Sequence, residues 1–245
     1  MVIIALPAYN EERTLALLLE AIRYAMEENR IEYRVIVVND GSTDGTANAV
    51  EKVVDRMPVT RVDHEVNRGL GESIRTGLLS ALEGADDRDI IVTMDSDNSH
   101  TPGLIARMVR GIQEGNDVII ASRFQPGARI KGVPIYRRIA SRGGSLLIRV
   151  LFPTKNVRDF TCGYRAYRAG VIKQAFEIYG EQFVAQSGFS CMVDILLKLR
   201  RLDAIMSEVP LILRYDLKYS ISKMIVVRTI VDTLKLLATR RLGID

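Results

Sequence analysis

The sequence predicts an α/β fold in which a mostly parallel central sheet lies between two helical layers. Three observations point there. Short apolar runs alternate with amphipathic ones through the first 123 residues. The apolar runs are rich in Val and Ile without polar alternation, as strands buried on both faces are. The intervening segments carry apolar residues at helical spacing. A βαβα order of this kind favours parallel strands joined by crossover helices on both faces of a sheet.

The elements follow in order. Val2–Leu6 reads as a strand, and Leu15, Leu18, Leu19, Ile22 and Met26 then recur at the helical period. Val35–Val38 is a continuous β-branched strand, Thr46–Val54 a helix and Val59–His64 a strand. Gly71–Leu82 is helical and Asp89–Met94 a strand. Pro102 suits an early helical position because its φ is already set, and that helix runs to Glu114. Val118–Ala121 is the next strand. Past Arg123 the rhythm breaks. Gln125–Val133, with Pro126, Gly127 and Gly132, reads as a mobile loop. Arg138–Phe152 reads as a helix, Cys162–Tyr167 as a strand, Phe189–Leu199 as a helix and Val209–Leu213 as a late strand. Ile221–Arg240 closes as an amphipathic helix. No repeat or linker-like shift of composition interrupts the 245 residues, so one domain is expected.

Composition narrows the class. Hydrophobic residues make up 47% and charged residues 26%, the balance of a folded globular chain. The net charge of +4 suits nucleic acid, anionic lipid or phosphorylated ligands alike. No interleaved aromatics lie on a basic strand and no helix-turn-helix pattern occurs, so nucleic acid is not the expected partner. Cys162 and Cys191 lack a CxxC or His-rich context, which argues against zinc and against a disulfide framework. No apolar stretch reaches the ~20 residues of a spanning helix, and the opening run lacks signal-peptide features. A soluble or peripheral, cytoplasmic protein is expected.

Polar clusters follow the strands. Pro7–Glu12 follows the first, Asn39–Thr46 the second, Asp95–His100 the fourth and Arg123 the fifth. Open parallel sheets bind ligands beyond the carboxyl ends of their strands, so these clusters should meet in one crevice. Asp95 and Asp97, two residues apart, suit a hard divalent cation that also bridges phosphates. Asp, Asn and Ser are equally common in turns, but the position after a buried strand favours a metal. Asp40 suits a nucleobase N–H, and an Asx turn through Asp40-Gly41 is compatible with that role. Asn67–Gly71 lacks the third glycine of a dinucleotide fingerprint. With only His64 and His100, a serine triad is not expected. Arg123, Arg129, Lys131, Arg137, Arg138 and Arg142 straddle the central loop beside the expected crevice and suit phosphate, with Lys218 and Lys223 completing the cradle from the late loop.

The ordered set PAYNEE, VVNDGSTDGT, NRGLGESIRTGL, MDSDNSHTP and ASRF resembles glycosyltransferase family 2. DFTCGYRAYR and EVPLILRYDLKYSISKM narrow the resemblance to the dolichyl- and polyprenyl-phosphate glycosyltransferases. The resemblance implies a GT-A fold, with residues 1–123 as the nucleotide-sugar half and 124–245 as the acceptor half. It implies a GDP- or UDP-linked sugar donor (GDP-mannose or UDP-glucose first), Mg²⁺ or Mn²⁺, and a polyprenyl or dolichyl phosphate acceptor at the cytosolic face of a membrane. By position, Pro7, Tyr9, Glu11 and Asp40 would hold the nucleoside. Asp95 and Asp97 would hold metal and donor phosphates, with Ser99 a weaker ligand where a Gln is usual. Asp97 and Arg123 would carry the chemistry. Arg123, Arg137 and Ser141 would grip the acceptor phosphate, and Lys218 and Lys223 the donor phosphate. A glycan hydroxyl acceptor, or a non-catalytic sugar-nucleotide-binding role, are the rival expectations. Gly144–Phe152 and Ile221–Leu237 are the candidate membrane-facing surfaces, with core packing, or a dimer contact for the last helix, as the alternative; for Ile221–Leu237 the two readings weigh equally.

Overall fold

The computed structural model describes residues 1–218 and 226–242, without the side chains of Arg137, Val226, Val227, Arg228 and Leu242. Seven strands form the main sheet. They are β1 (Val2–Ala8), β2 (Tyr33–Asp40), β3 (Val59–His64), β4 (Ile90–Thr93), β5 (Val118–Ser122), β7 (Arg165–Arg168) and β8 (Met206–Pro210). A separate parallel pair joins β6 (Arg129–Lys131) to β9 (Ile212–Arg214). The helices are α1 (Leu15–Glu28), α2 (Thr46–Glu51), α3 (Leu70–Leu82), α4 (Leu104–Gln113), α5 (Ile135–Leu151), α6 (Ala169–Tyr179), α7 (Cys191–Arg201) and α8 (Val226–Leu242).

The main sheet runs in the order β3-β2-β1-β4-β7-β5-β8. The chain moves outward from β1 to β3, then returns across β1 to β4. Right-handed crossovers therefore put the first connections and α3 on opposite faces. α1 accordingly packs with α2 and α4, and α3 with α6. The first four strands are parallel, and their interior residues, such as Ile3, Ile4, Val35, Val37, Ile91 and Val92, are fully buried. β7 runs antiparallel between β4 and β5, the exception in the sheet.

Several expectations are corrected. The segment read as a mobile loop contains β6, held by β9. The single late strand is two: the chain leaves the main sheet after Pro210 and enters the small pair at Ile212. The helix at Thr46 stops at Glu51, and α6 was not expected at all. The closing helix is described from Val226, so the first residues of the expected Ile221–Arg240 helix, Lys223 included, lie outside the described residues.

Two topological facts place the site. The strand order reverses between β1 and β4, so the loops after them diverge and leave a crevice at their carboxyl ends. Because β7 is antiparallel, the segment entering it arrives at that same edge, where Arg165 pairs with Thr93 and Ile120. β8 ends there too, and its continuation carries Lys218.

Candidate active site at the sheet switch point

The loops after β1, β2 and β4 are tied together by short polar contacts. The Ser96 hydroxyl donates to the Pro7 carbonyl (2.8 Å), spanning the switch point. The Asn10 N–H donates to Ser42 Oγ and the Thr43 N–H to Asn10 Oδ1. The Glu11 N–H donates to Thr46 Oγ1 (2.8 Å). The Glu11 side chain is buried and accepts from the Thr14 hydroxyl (2.9 Å), at the start of α1. Tyr9 is half-buried beside it.

Asp40 ends β2 as a buried acceptor. Its carboxylate takes the Arg68 and Gly69 N–H groups (both 2.9 Å) and lies 2.7 Å from His64 Nδ1. His64 Nε2 faces Thr76 Oγ1 at 3.0 Å. A carboxylate offers about four lone-pair sites, so three donors leave one for a ligand. The glycines of Asn67–Gly71 serve this junction: a Cβ at Gly71 would lie 1.8 Å from the Gln186 carbonyl oxygen, and one at Gly41 would strike Val66 and Asn67.

The acidic pair follows β4. Asp97 is buried, and its Oδ2 accepts from Lys218 Nζ at 2.6 Å. The Ser99 N–H donates to Asp97 Oδ1 (3.0 Å). Burial works against ionisation of Asp97, but Lys218 and then His100 outweigh it and hold the carboxyl below its usual range. Burial likewise opposes the charge on Lys218, and Asp97 overrides it, raising the ammonium above its ordinary value. Asp95 differs: partial burial pushes its carboxyl up, with His100 opposing and Asp97 reinforcing the rise. His100 Nδ1 accepts from the Asp95 N–H (3.3 Å), which turns Nε2 toward Asp95 Oδ2 at 3.9 Å. The ring stacks on Tyr164 with centroids 5.0 Å apart. His100 therefore braces the loop that carries Asp95.

Arg123 follows β5 and is gripped by Asp159. Its Nε and Nη2 donate to the two carboxylate oxygens at 2.7 and 2.6 Å, and its N–H donates at 3.0 Å. Nη2 also reaches Thr161 Oγ1. Burial disfavours the charge, but Asp159 more than restores it and raises the guanidinium above its ordinary value. Asp159 itself is completely buried and stays below the usual carboxylate range because Arg123 overcomes its desolvation. Glu208 on β8 accepts the Arg158 and Asp159 N–H groups (both 2.6 Å), fixing that turn. The sequence pattern does not mark Asp159 or Glu208 as site residues; the available signal is an acid opening the distinctive run DFTCGYRAYR.

On α5 the expected acceptor-phosphate residues meet unevenly. The Arg137 side chain lies outside what is described. Ser141 Oγ and Ser145 Oγ are buried without a hydrogen-bond partner among the described residues, as is Arg138 Nε. Spacings of three and four put these residues on one helix face. Lys131 and Arg214, by contrast, are paired with Asp216.

A cation site can be judged on the donors present. No group of three or more His, Cys, Asp or Glu able to hold a metal occurs among the described residues. The Asp95 carboxylate is 39% exposed and accepts no hydrogen bond among the described residues. Two hard carboxylates, one of them open, suit Mg²⁺ or Mn²⁺ when diphosphate and water complete the sphere. The residues fit the group.

The fold recurs in solved glycosyltransferases. Glucosyl-3-phosphoglycerate synthase from Mycobacterium tuberculosis, crystallised with Mn²⁺, uridine diphosphate and glucosyl-3-phosphoglycerate, superposes with a TM-score of 0.67 at 19% identity, covering 100% of this chain and 81% of that one. Staphylococcus aureus TarS (residues 1–349) gives a TM-score of 0.60 at 18% identity, over 97% and 64% of the two chains. The family model described as glycosyl transferase family 2 matches residues 3–176. The chain belongs to glycosyltransferase family 2. Among curated relatives, an undecaprenyl-phosphate mannosyltransferase from Micrococcus luteus is 33% identical over 211 residues, 86% of this chain and 82% of the relative. A dolichol-phosphate mannosyltransferase from Pyrococcus furiosus is 28% identical over 196 residues; the match spans 80% of this chain and about half (52%) of that relative.

Proposed function

We propose that this glycosyltransferase moves a hexose from a nucleotide diphospho-sugar to a polyprenyl phosphate, with inversion, at a membrane surface. The observation that carries the reading is the convergence of Asp95, Asp97, Lys218 and the Asp159-held Arg123 at the switch point. The names of the curated relatives support the acceptor and favour mannose.

In this reading, Pro7, Tyr9, Glu11 and the remaining acceptor site of Asp40 line the nucleoside seat. Asp95 and Asp97, with Ser99 as a weaker third, would hold Mg²⁺ or Mn²⁺. That ion, when bound, neutralises charge on the donor diphosphate. Lys218 and Lys223 add positive charge on the leaving side. Arg123, Arg137 and Ser141 orient the acceptor phosphate, and the unpartnered Ser141 and Ser145 hydroxyls supply hydrogen bonds. An acceptor phosphate oxygen forms the new bond to the anomeric carbon as the bond to the diphosphate breaks. A phosphomonoester has a second pKa near ~6 and is mostly dianionic at neutral pH. It needs no general base, so the site can work without one.

No described helix is long and apolar enough to cross a membrane. α5 and α8 pack together, and each leaves apolar side chains exposed: Ile135, Ile139, Leu146 and Val150 on α5, Ile230, Val231 and Leu234 on α8. Such stripes beside basic residues suit an interfacial helix pair. The test is a panel of labelled nucleotide sugars with a short polyprenyl phosphate and Mg²⁺ or Mn²⁺. A lipid-linked hexose product is expected. Transfer to phosphate-free acceptors at equal rates would overturn the acceptor assignment.

A further inference from the structure

A second polar cavity lies away from the switch point, where the carboxyl-terminal ends of α5, α7 and α8 meet. Its volume is about 200 Å³, and its apolar side is Leu151, Phe152, Pro153 and Leu197. The rest of its lining is basic: Lys198, Arg200, Arg201, Arg240 and Arg241, with no acidic side chain. Outside the lining, buried Asp194 holds Lys198 Nζ at 2.7 Å and Arg240 Nε at 2.9 Å, locking α8 to α7. The cavity is therefore lined in part by fixed, charged side chains.

Arg200 and Arg241 form the rim. Both are exposed, and neither side chain makes a hydrogen bond or ion pair among the described residues. The ordinary account of basic residues at helix ends is compensation of the helix dipole. That dipole amounts to about half an elementary charge at each terminus, too little to neutralise a full arginine. Two guanidiniums from different helices thus face one space with charge to spare. Planar guanidiniums suit phosphate oxygens, which they bind in pairs. A water molecule's share of liquid is about 30 Å³, so the space admits a phosphate with its first substituents. Exposed Leu146, Leu147 and Val150 directly precede the cavity-lining Leu151 on α5. A free phosphate has no use for those apolar side chains, whereas a phospholipid does.

We propose that this cavity seats the headgroup phosphate of an acidic membrane phospholipid, distinct from the acceptor lipid at the switch point. The inference rests on the membrane-surface reading above. The seat anchors the α5–α8 edge and leaves the sugar-transfer site to the acceptor.

The experiment is vesicle flotation of the full chain with phosphatidylcholine alone and with phosphatidylcholine plus phosphatidylglycerol. Transfer to a short, water-soluble prenyl phosphate is followed in the same preparations. The wild type should prefer acidic vesicles. R200A/R241A should lose about fivefold in that binding per arginine at low salt and keep its transfer rate. R200K/R241K should retain most of the preference. A double-alanine variant with unchanged acidic-vesicle binding, or a wild type without the preference, overturns the proposal. So does thermal stabilisation by inorganic phosphate that depends on both arginines without any vesicle preference, which marks a free-anion site. Failure of the wild type to transfer sugar to any prenyl phosphate would instead sink the proposed function, and is read independently of vesicle binding.

Discussion

Lys218 and Asp97, 121 residues apart in sequence, form an ion pair of 2.6 Å. The ammonium occupies one oxygen of the carboxylate assigned to the cation. Under the proposed function, metal and lysine would therefore compete for Asp97 before donor binds. K218M should bind Mn²⁺ about tenfold more tightly without donor, the equivalent of about 1.4 kcal/mol, while its turnover falls. Mn²⁺ titration followed by electron paramagnetic resonance reads this directly, and an unchanged affinity refutes the competition.

Asp97 itself should be indispensable to turnover and dispensable to the fold. D97A removes a charged group aimed at the donor side, and losses of ~10²–10³-fold are typical for such groups. Its circular dichroism spectrum should match wild type, because Lys218 has 12% of its side chain exposed and can turn to solvent. Near-normal transfer by D97A would remove the basis for the acidic pair's role.

Asp159 carries a different expectation, because it acts through Arg123. D159N leaves a partly buried guanidinium without its counter-charge; breaking a fully buried pair typically costs about 3–5 kcal/mol, and solvent access to Arg123 puts this one toward or below the lower end. The pH dependence follows from the sign of the shift. The folded-state Asp159 carboxyl is depressed, so its contribution is present above the unfolded value of ~3.9 and lost as pH falls through the folded value. The stability gap between wild type and D159N should thus be constant from about pH 5 to 9 and shrink only in acid. Urea unfolding at several pH values tests it; a gap that opens only in alkali contradicts the assignment.

The parts of this site legible from sequence were those placed by one strand and the loop directly after it. Asp40, Asp95, Asp97 and Arg123 each end or follow a β-branched run, and the parallel order carries them to one edge. Asp159 was not legible, because its place depends on β7 entering antiparallel between β4 and β5, a pairing that Cys162–Tyr167 does not encode locally. The β6–β9 pair has three residues per strand, too few for a period to show. α6 opens on Ala169-Gly170, and that glycine sits against Asp87, so close packing overrides a weak local helix signal. The glycines of Asn67–Gly71 look like part of a dinucleotide fingerprint in sequence; in space they admit the Gln186 and Ser187 backbone, the Gly69 N–H donating to Asp40 and the Gly71 N–H to the Ser187 carbonyl.

That last relationship predicts a stability effect without a change of chemistry at the acidic pair. A Cβ at Gly71 would fall 1.8 Å from the Gln186 carbonyl oxygen, which is backbone and cannot swing aside. G71A should lose about 1–3 kcal/mol, the usual range for overpacking. Loosening of Gly69 should also weaken the hold on Asp40, raising KM for the nucleotide sugar more than it lowers kcat. A G71A protein as stable as wild type would show that the 186–187 segment is not packed there.

The exposed stripe of α5 allows a separate test of the membrane surface. Ile139 and Val150 are 64% and 69% exposed, so they contribute little to the core. Full burial of such side chains gives about 1.5–3 kcal/mol each. If they enter the lipid interface, I139S/V150S should weaken binding even to uncharged vesicles by tenfold or more, with an unchanged melting temperature. Loss of Tm with no loss of vesicle binding would instead assign the stripe to packing within the protein or between copies. Because this variant leaves Arg200 and Arg241 intact, its residual binding should still favour acidic vesicles, which separates the apolar contribution from the headgroup seat.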